Sequence, residues 1–308
     1  MFNRELKERF ISECVKCDST KQRWRYLFKK TQVFEEKWCA DLCTRNTNDL
    51  QFMVDQLSSV SANGRHQTIV TLKRYVHWCI NNGVENACDG VDGVVDNGIV
   101  SDSVKMVANP AELQLALDSI FVSEDEDTVD NLFRAFYWLS FSGMLIDKAI
   151  NVGNADINMD ESEINYCGRT YTIYYEARKC IKKCMELPTF RVYRPRSEYT
   201  ITRGNGKSIF RNQYGDVSKS DMINYISRKK KKSNSKYDLS YNSVWLSGLF
   251  YRTYYGKERR GIIVDFASEL DDIAEIKNIE HTTVSAKNSL VKFYTSDYEN
   301  WKKYFGLS

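Results

Sequence analysis

Nowhere in these 308 residues is there an uninterrupted apolar run long enough to span a bilayer, and Met1-Phe2-Asn3-Arg4-Glu5 does not read as a signal peptide. A membrane-spanning helix and a secretory route are therefore not expected, and the expected location is the cytoplasm. No internal repeat is present. The nine cysteines are an odd number with no secretory signal, so reduced thiols are the default. Cys14 and Cys17 form a C-x-x-C, but no second pair and no nearby His completes a ligand set. Leu6, Phe10, Cys14 and Cys17 are expected on one helix face, where free Cys packs as a small hydrophobe. Cys180 and Cys184, one helical turn apart, read the same way. No metal and no cofactor is expected.

What the chain does have is enough apolar material for a core, 42% hydrophobic and 13% aromatic residues, which speaks against gross disorder. The length allows two domains of ordinary size. The net charge of +3 conceals an uneven distribution. Residues 1–80 carry 14 Lys+Arg against 9 Asp+Glu, residues 81–170 carry 4 against 17, and residues 191–260 carry 17 against 5. A polyanion would be drawn to the two basic regions and not to the acidic one.

The first 80 or so residues read as all-helical. Helical spacing runs from Glu5 to Cys17, from Thr31 to about Asn46 and from Asp49 to Leu57, with Asn48 as a cap. After the turn Ser61-Ala62-Asn63-Gly64 comes a helix from about Arg65 to Ile80, its outer face expected to show Arg65, His66, Gln67, Thr68, Lys73 and Arg74. Residues 84–108 alternate Gly, Asp, Asn and Val without a period and read as a linker. Asn109-Pro110 opens a helix. The run Glu124–Asp127 reads as a solvated helix start, and Val129–Ser140 as a buried helix. Glu163–Tyr166 and Thr170–Ile173 around Cys167-Gly168-Arg169 predict a hairpin. Glu176–Leu187 is expected helical, 188–220 irregular, Asp221–Ser227 helical and Arg228–Lys232 a basic loop. Helices are expected again near Leu239–Tyr255, Ile262–Leu270, Asp271–Ile279 and Val284–Phe293.

Between the apolar helix and the hairpin lies Ser142-Gly143-Met144-Leu145-Ile146-Asp147-Lys148-Ala149. This stretch resembles the first active-site box of tyrosine recombinases (phage integrases), in which a Gly precedes a catalytic Arg and a Glu follows three residues later. Here the Arg slot holds Leu145 and the Glu slot Lys148. Leu239–Gly248 stands where the family has His-x-x-Arg, with Asn242 for the His and Trp245 for the Arg, and residues 239–251 contain neither His nor Arg. The hairpin Lys position falls at or near Arg169, which keeps the charge but is no proton donor near neutral pH. Glu280-His281 resembles the third box with its Gly lost. Tyr294 is the nearest match to the nucleophile, with Tyr298 as the alternative, although a Tyr in an aromatic tail is more often packing than chemistry.

The resemblance implies a mainly α fold: a helical core-binding (SAM-like) domain over 1–83, a linker over 84–108, and a catalytic-like domain with a small β-hairpin or sheet over 109–308. Removing one transition-state contact costs ~3–4 kcal/mol, so loss of both arginines implies no strand cleavage. A degenerate integrase of this kind resembles the master lytic-cycle repressors of SPbeta-type temperate phages (the MrpR family), through Tyr199–Gly204, Ser247–Arg252 and Lys73–Trp78. That implies a sequence-specific repressor of phage lytic promoters, maintaining lysogeny from the nucleoid of a bacterial host. Its partner would be double-stranded DNA at operator sites, gripped by both domains, with self-association on DNA and a protein antagonist left open. The DNA-contacting candidates are Arg65, Gln67, Lys73 and Arg74, then Arg203, Lys207, Arg211, Lys229, Lys230 and Arg252. Two rivals stand beside this reading: a recombinase working through displaced residues such as Arg169, His281 and Tyr294, and a non-catalytic recombination accessory protein.

Overall fold

The computed structural model describes residues 1–57, 61–98, 104–122, 129–194, 197–202, 204–267 and 284–307. The sequence-based divisions at 83 and 108 follow the order of the chain. Contacts instead group Met1–Ser101 with Val284–Ser308 as one compact unit and Asp102–Thr283 as the other.

The first unit is built from α1 (Arg4–Cys14), α2 (Asp18–Trp38), α3 (Thr47–Leu57), α4 (Ala62–Asn81) and the C-terminal α11 (Val284–Phe305). Its core is aromatic, with Phe10 stacked on Trp24 at 5.0 Å and edge-on to Tyr75. Several helix boundaries differ from expectation: α2 ends at Trp38, short of Asn46, and α4 takes in Ala62–Gly64, expected as a turn. α1 stops at Cys14, and α2 starts at Asp18, well before Thr31. Cys14 and Cys17 are therefore exposed and not packed on a helix face. Cys17 occupies the N-cap of α2, where the Ser19 hydroxyl and the first amides hold its thiol down to about 7. α3 begins at Thr47, with the Asn46 carboxamide accepting from the Asp49 amide at 3.0 Å, so the cap is Asn46 and not Asn48.

The expected linker is largely part of this unit. Val91 and Val94 lie in its core, the Cys88 amide donates to the Cys43 carbonyl at 2.8 Å, and Thr47 donates to the Gly90 carbonyl at 2.7 Å. Gly90 is required there, since a Cβ would sit 2.3 Å from the Arg45 carbonyl oxygen.

A fully buried Lys7 sits among these helices. Its ammonium donates to Glu35 and, at 2.9 Å, to the Phe2 carbonyl, with Asp41 at 3.5 Å. Asp41 also accepts from the Tyr75 hydroxyl at 2.9 Å and the Cys43 amide at 3.1 Å. Burial pushes the Glu35 carboxyl up against the pull of Lys7. The cluster joins α1, α2, α4 and the 3₁₀ turn Leu42–Thr44.

The second unit packs α5 (Pro110–Ile120), α6 (Asp130–Phe141), the short α7 (Ile146–Ala149), α8 (Arg178–Glu186), α9 (Lys219–Lys232) and α10 (Tyr241–Gly256). α6 is buried on nearly all sides, as its run of Leu, Phe, Tyr and Trp foretells. α10 crosses it at Gly248, where a Cβ would lie 2.0 Å from the Phe141 carbonyl oxygen. β1 (Ile157–Asn158), β2 (Glu163–Tyr166) and β3 (Arg169–Thr172) form an antiparallel sheet in that order. The β2–β3 turn is Cys167-Gly168, both at positive φ (51° and 73°), so the first strand stands where it was expected and the second begins one residue earlier, at Arg169.

Residues 188–220, expected irregular, contain two further antiparallel pairs: β4 (Thr189–Arg194) with β5 (Ser197–Thr202), and β6 (Arg211–Asn212) with β7 (Gly215–Asp216). The basic run is not a loop. It is the last turn of α9, where cations complement the negative end of the helix dipole. Of the helix expected over Ile262–Leu270, residues 262–265 are not helical and only 266–267 are; its remainder and the helix expected over Asp271–Ile279 fall outside the described residues. The fold is thus mainly α with small antiparallel sheets. No helix among the described residues is long and apolar enough to cross a membrane.

Candidate nucleic-acid interface

The box glycine has a structural role before any chemical one. Gly143 follows the last turn of α6 at φ +102°, and its amide donates to Ser140 while that of Met144 donates to Leu139. This closes the helix in a way that favours glycine. The carbonyls left over at this helix end are taken by α10. Trp245 Nε1 donates to the Gly143 carbonyl at 2.9 Å, and the Arg252 guanidinium donates to the Phe141 carbonyl. Tyr241 donates to the Met144 carbonyl at 2.9 Å. Trp245, Gly248 and Arg252 share one face of α10 by their three- and four-residue spacing.

Leu145 is half-buried at the N-cap of α7, and Lys148 is half-buried one turn on. Asp147 pairs with Lys219 at 2.7 Å. Asn242 is exposed in the first turn of α10, and Arg169 is half-buried on β3. Arg252 is the one guanidinium shown against Gly143 among the described residues, with Nη2 2.8 Å from where a Cβ would be. Burial pushes its pKa down, while the Tyr174 hydroxyl supports its charge. Its guanidinium, expected on DNA, donates to the Phe141 backbone carbonyl. His281 lies outside the described residues. Tyr294 is buried on α11 in the first unit, where desolvation raises its phenol and Asp297 adds to the effect.

Several other cations expected on DNA are also held by the protein. Arg65 is not exposed; it is 2% accessible, with Nε 2.7 Å from Asp96 and Nη2 3.5 Å from Asp297. Lys229 pairs with the buried Asp130 at 2.6 Å, and Lys230 donates to the Leu239 carbonyl at 2.7 Å and pairs with Asp238. Arg211 reaches the Gly206 carbonyl at 3.2 Å. Lys73 donates to the Asp92 carbonyl at 3.2 Å, and Gln67 is half-buried. Arg74 and Lys207 are exposed, and Arg203 lies outside the described residues. The outward stripe of α4 therefore runs through Asn63, His66, Gln67, Val70, Arg74 and His77, with His77 paired to Asp92 at 2.9 Å.

Sequence reasoning missed the first half of α2, Asp18–Lys30, and with it the helix's basic face. Trp24, Phe28, Thr31 and Glu35 face the core. The opposite face presents Arg23, Tyr26, Lys29, Lys30, Val33 and Lys37, all exposed. Arg25 and Lys21 on this helix are paired, to Glu8 at 2.8 Å and Asp18 at 3.6 Å. Arg23, Lys29, Lys30 and Lys37 have no carboxylate within ion-pair distance among the described residues. Lys30 instead lies over the Tyr26 ring at 4.8 Å. The signal was the period of Tyr26, Lys30, Val33 and Lys37, hidden by starting the helix at Thr31.

Residues 1–81 match the family model described as "MrpR, N-terminal core-binding domain". Among solved structures the chain is similar to XerA recombinase, at 13% identity and a TM-score of 0.38, covering 93% of this chain and 96% of that one. It is also similar to a lambda integrase (75–356) dimer bound to a COC' core site, at 12% identity and a TM-score of 0.39, covering 94% and 95%. A third is the Tn1549 transposon integrase in complex with a circular intermediate DNA, at 12% identity and a TM-score of 0.37, covering 82% and 87%. No curated protein matches.

Proposed function

We propose that this chain is a sequence-specific DNA-binding repressor on a tyrosine-recombinase-type scaffold that no longer cleaves DNA, and that it keeps phage lytic promoters silent. The observation that carries the DNA-binding part is the face of α2, with its unpaired cations beside exposed Tyr26 and Val33. Such a face gives phosphate affinity through the cations and apolar or stacking contacts through the side chains between them. α2 and α4 belong to one compact unit, and α4 adds Arg74, Gln67 and Val70 on its outer side. A helix of this width fits the major groove. The match of residues 1–81 to the MrpR core-binding model supports the repressor assignment.

The loss of chemistry is supported by what stands in the boxes. Leu145 carries no charge, and Trp245 spends its only polar hydrogen on the Gly143 carbonyl. Neither can neutralise a pentavalent phosphate. The second reading, a residual recombinase, draws on Arg252 beside Gly143, but that guanidinium caps a helix.

The experiment is footprinting on phage DNA carrying lytic promoters, paired with a supercoiled-plasmid relaxation and covalent-adduct assay. Protected promoter sites and no Tyr-linked DNA are expected, with Tyr294→Phe binding as the unaltered chain does. Relaxed plasmid or a covalent adduct would overturn the non-catalytic part. Binding with less than ~10³ preference over random DNA would favour an accessory protein.

A further inference from the structure

The C-terminal helix meets α4 at its first turn. α11 buries Tyr294, Asp297, Tyr298 and Trp301, at i, i+3, i+4 and i+7, so one stripe of the helix faces its own N-terminal unit. Trp301 is completely inaccessible. The Asp297 carboxylate accepts from the Ala62 amide at 2.6 Å. Ala62 opens α4, and its amide is one of the donors a helix cannot satisfy internally. The neighbouring Ser61 side chain serves the Gly64 amide at 3.2 Å. The same Asp297 oxygen faces Arg65, which also holds Asp96, and Asp96 accepts from the Gly98 amide at 2.9 Å. The Phe293 ring lies 6.0 Å from His66. A carboxylate at this end also complements the helix dipole.

We propose that Asp297 is a positioning residue for DNA recognition: from the far end of the sequence it caps α4 and fixes the first turns of that helix, where the outward His66 and Gln67 stand. This rests on the reading of α4 as part of a DNA-contacting face. Asp297 is itself buried and presents nothing to a phosphate. Its effect on binding is geometric, and a shift in the first turn misplaces the side chains that read bases while leaving the α2 cations where they were. Sequence preference should suffer and general DNA affinity should not. The family model ends at residue 81, so this cap comes from outside the segment it describes.

The test uses the full chain with Asp297→Leu, which removes the acceptor, and Asp297→Asn, which keeps an acceptor oxygen for the Ala62 amide. Without DNA, hydrogen exchange at residues 62–66 is compared with that at residues 72–76 of the same helix. In Asp297→Leu, exchange at 62–66 should rise ~10-fold or more, with 72–76 unchanged. Binding is read with a duplex selected by the unaltered chain from a random pool, and with a scrambled duplex. Asp297→Leu should bind the selected duplex ~10-fold more weakly and the scrambled one equally well, at an unchanged salt slope. Asp297→Asn should stay within ~2-fold on both duplexes. A merely structural defect lowers both duplexes together, by the fraction unfolded, and would overturn the positioning role. So would unaltered exchange at 62–66, or Asp297→Asn behaving as the Leu variant does. Should Asp297→Leu fail to fold, Asp297→Ser takes its place under the same criteria. If the unaltered chain shows no preference for any duplex, the DNA reading falls, and the exchange arm still reports separately whether Asp297 holds α4.

Discussion

The indole of Trp245 donates its only N–H to the carbonyl of Gly143 at 2.9 Å. Two positions that mark the first and second boxes of a resembled active site thus touch directly, and the contact is a helix cap. α6 ends at Phe141, whose carbonyl accepts from Arg252 of α10, and the Gly143 carbonyl just beyond that end accepts from Trp245. The contact makes these two positions part of the packing between two helices.

Trp245→Phe tests this directly. A smaller aromatic ring remains and the donor is removed, leaving the Gly143 carbonyl short of a partner and some core volume unfilled. Stability should fall by ~1–2 kcal/mol in denaturant melts. DNA affinity should be unchanged, because Trp245 is 5% accessible. A variant that melts like the original would show that the cap adds nothing.

The cations divide into those held by the protein and those left open. Lys29→Ala/Lys30→Ala should lower the slope of log affinity against log salt by up to about 1.8, or ~0.9 for each phosphate no longer neutralised. Melting should hardly change, since both side chains are exposed. Lys229→Ala should do the reverse. It strips the partner from Asp130, 2% accessible, and should cost ~1–3 kcal/mol while leaving the salt slope alone. If the Lys29/Lys30 double variant keeps its full slope, α2 is not on the DNA.

The buried Lys7 offers a stability prediction free of any DNA reading. Lys7→Ala leaves Glu35 and Asp41 facing one another in the core without the ammonium between them. The expected destabilisation is ~3–5 kcal/mol by equilibrium unfolding. Adding Glu35→Gln should recover part of it, because one uncompensated carboxylate is then neutral. An additive double variant would mean the ammonium is not what stabilises Glu35.

Periodicity made α4, α6 and α10 legible, since long amphipathic or apolar stretches state their own faces. The β2–β3 hairpin was legible from two β-rich tetrads around Cys167-Gly168. What escaped was decided by contacts far apart in sequence. Arg65 shares the inward face of α4 with Ile69, Leu72 and Val76 by its spacing, but a cation there reads as a surface charge until Asp96 and Asp297 are placed beside it. Lys229 and Lys230 look like a free basic loop until Asp130 and Asp238 are placed beside them. Val91 and Val94 sit in a Gly-Asp stretch that imitates a linker, yet Gly90 is there for close backbone approach and not for flexibility.

Asp297 also makes the first unit sensitive to pH. Burial raises its carboxyl from 3.8 to about 6, with the Ala62 amide and Arg65 pulling it down and Asp96 pushing it up; Tyr294 faces it from its own helix. The folded chain therefore holds this proton more tightly than the unfolded chain does. The stability it contributes is complete below about 3.8 and is lost as pH rises through about 6. Across that window the decrease is up to ~3 kcal/mol, at ~1.4 kcal/mol per pH unit. Glu35 is raised as well and slopes the same way, so the informative quantity is the difference between the original chain and Asp297→Asn. Subtracting one unfolding free energy from the other between pH 4 and 7 should leave a curve that falls with pH for the original relative to the variant. A flat difference would remove Asp297 as the titrating group, and a rising one would mean that its pairing with Arg65 outweighs the desolvation of its charge.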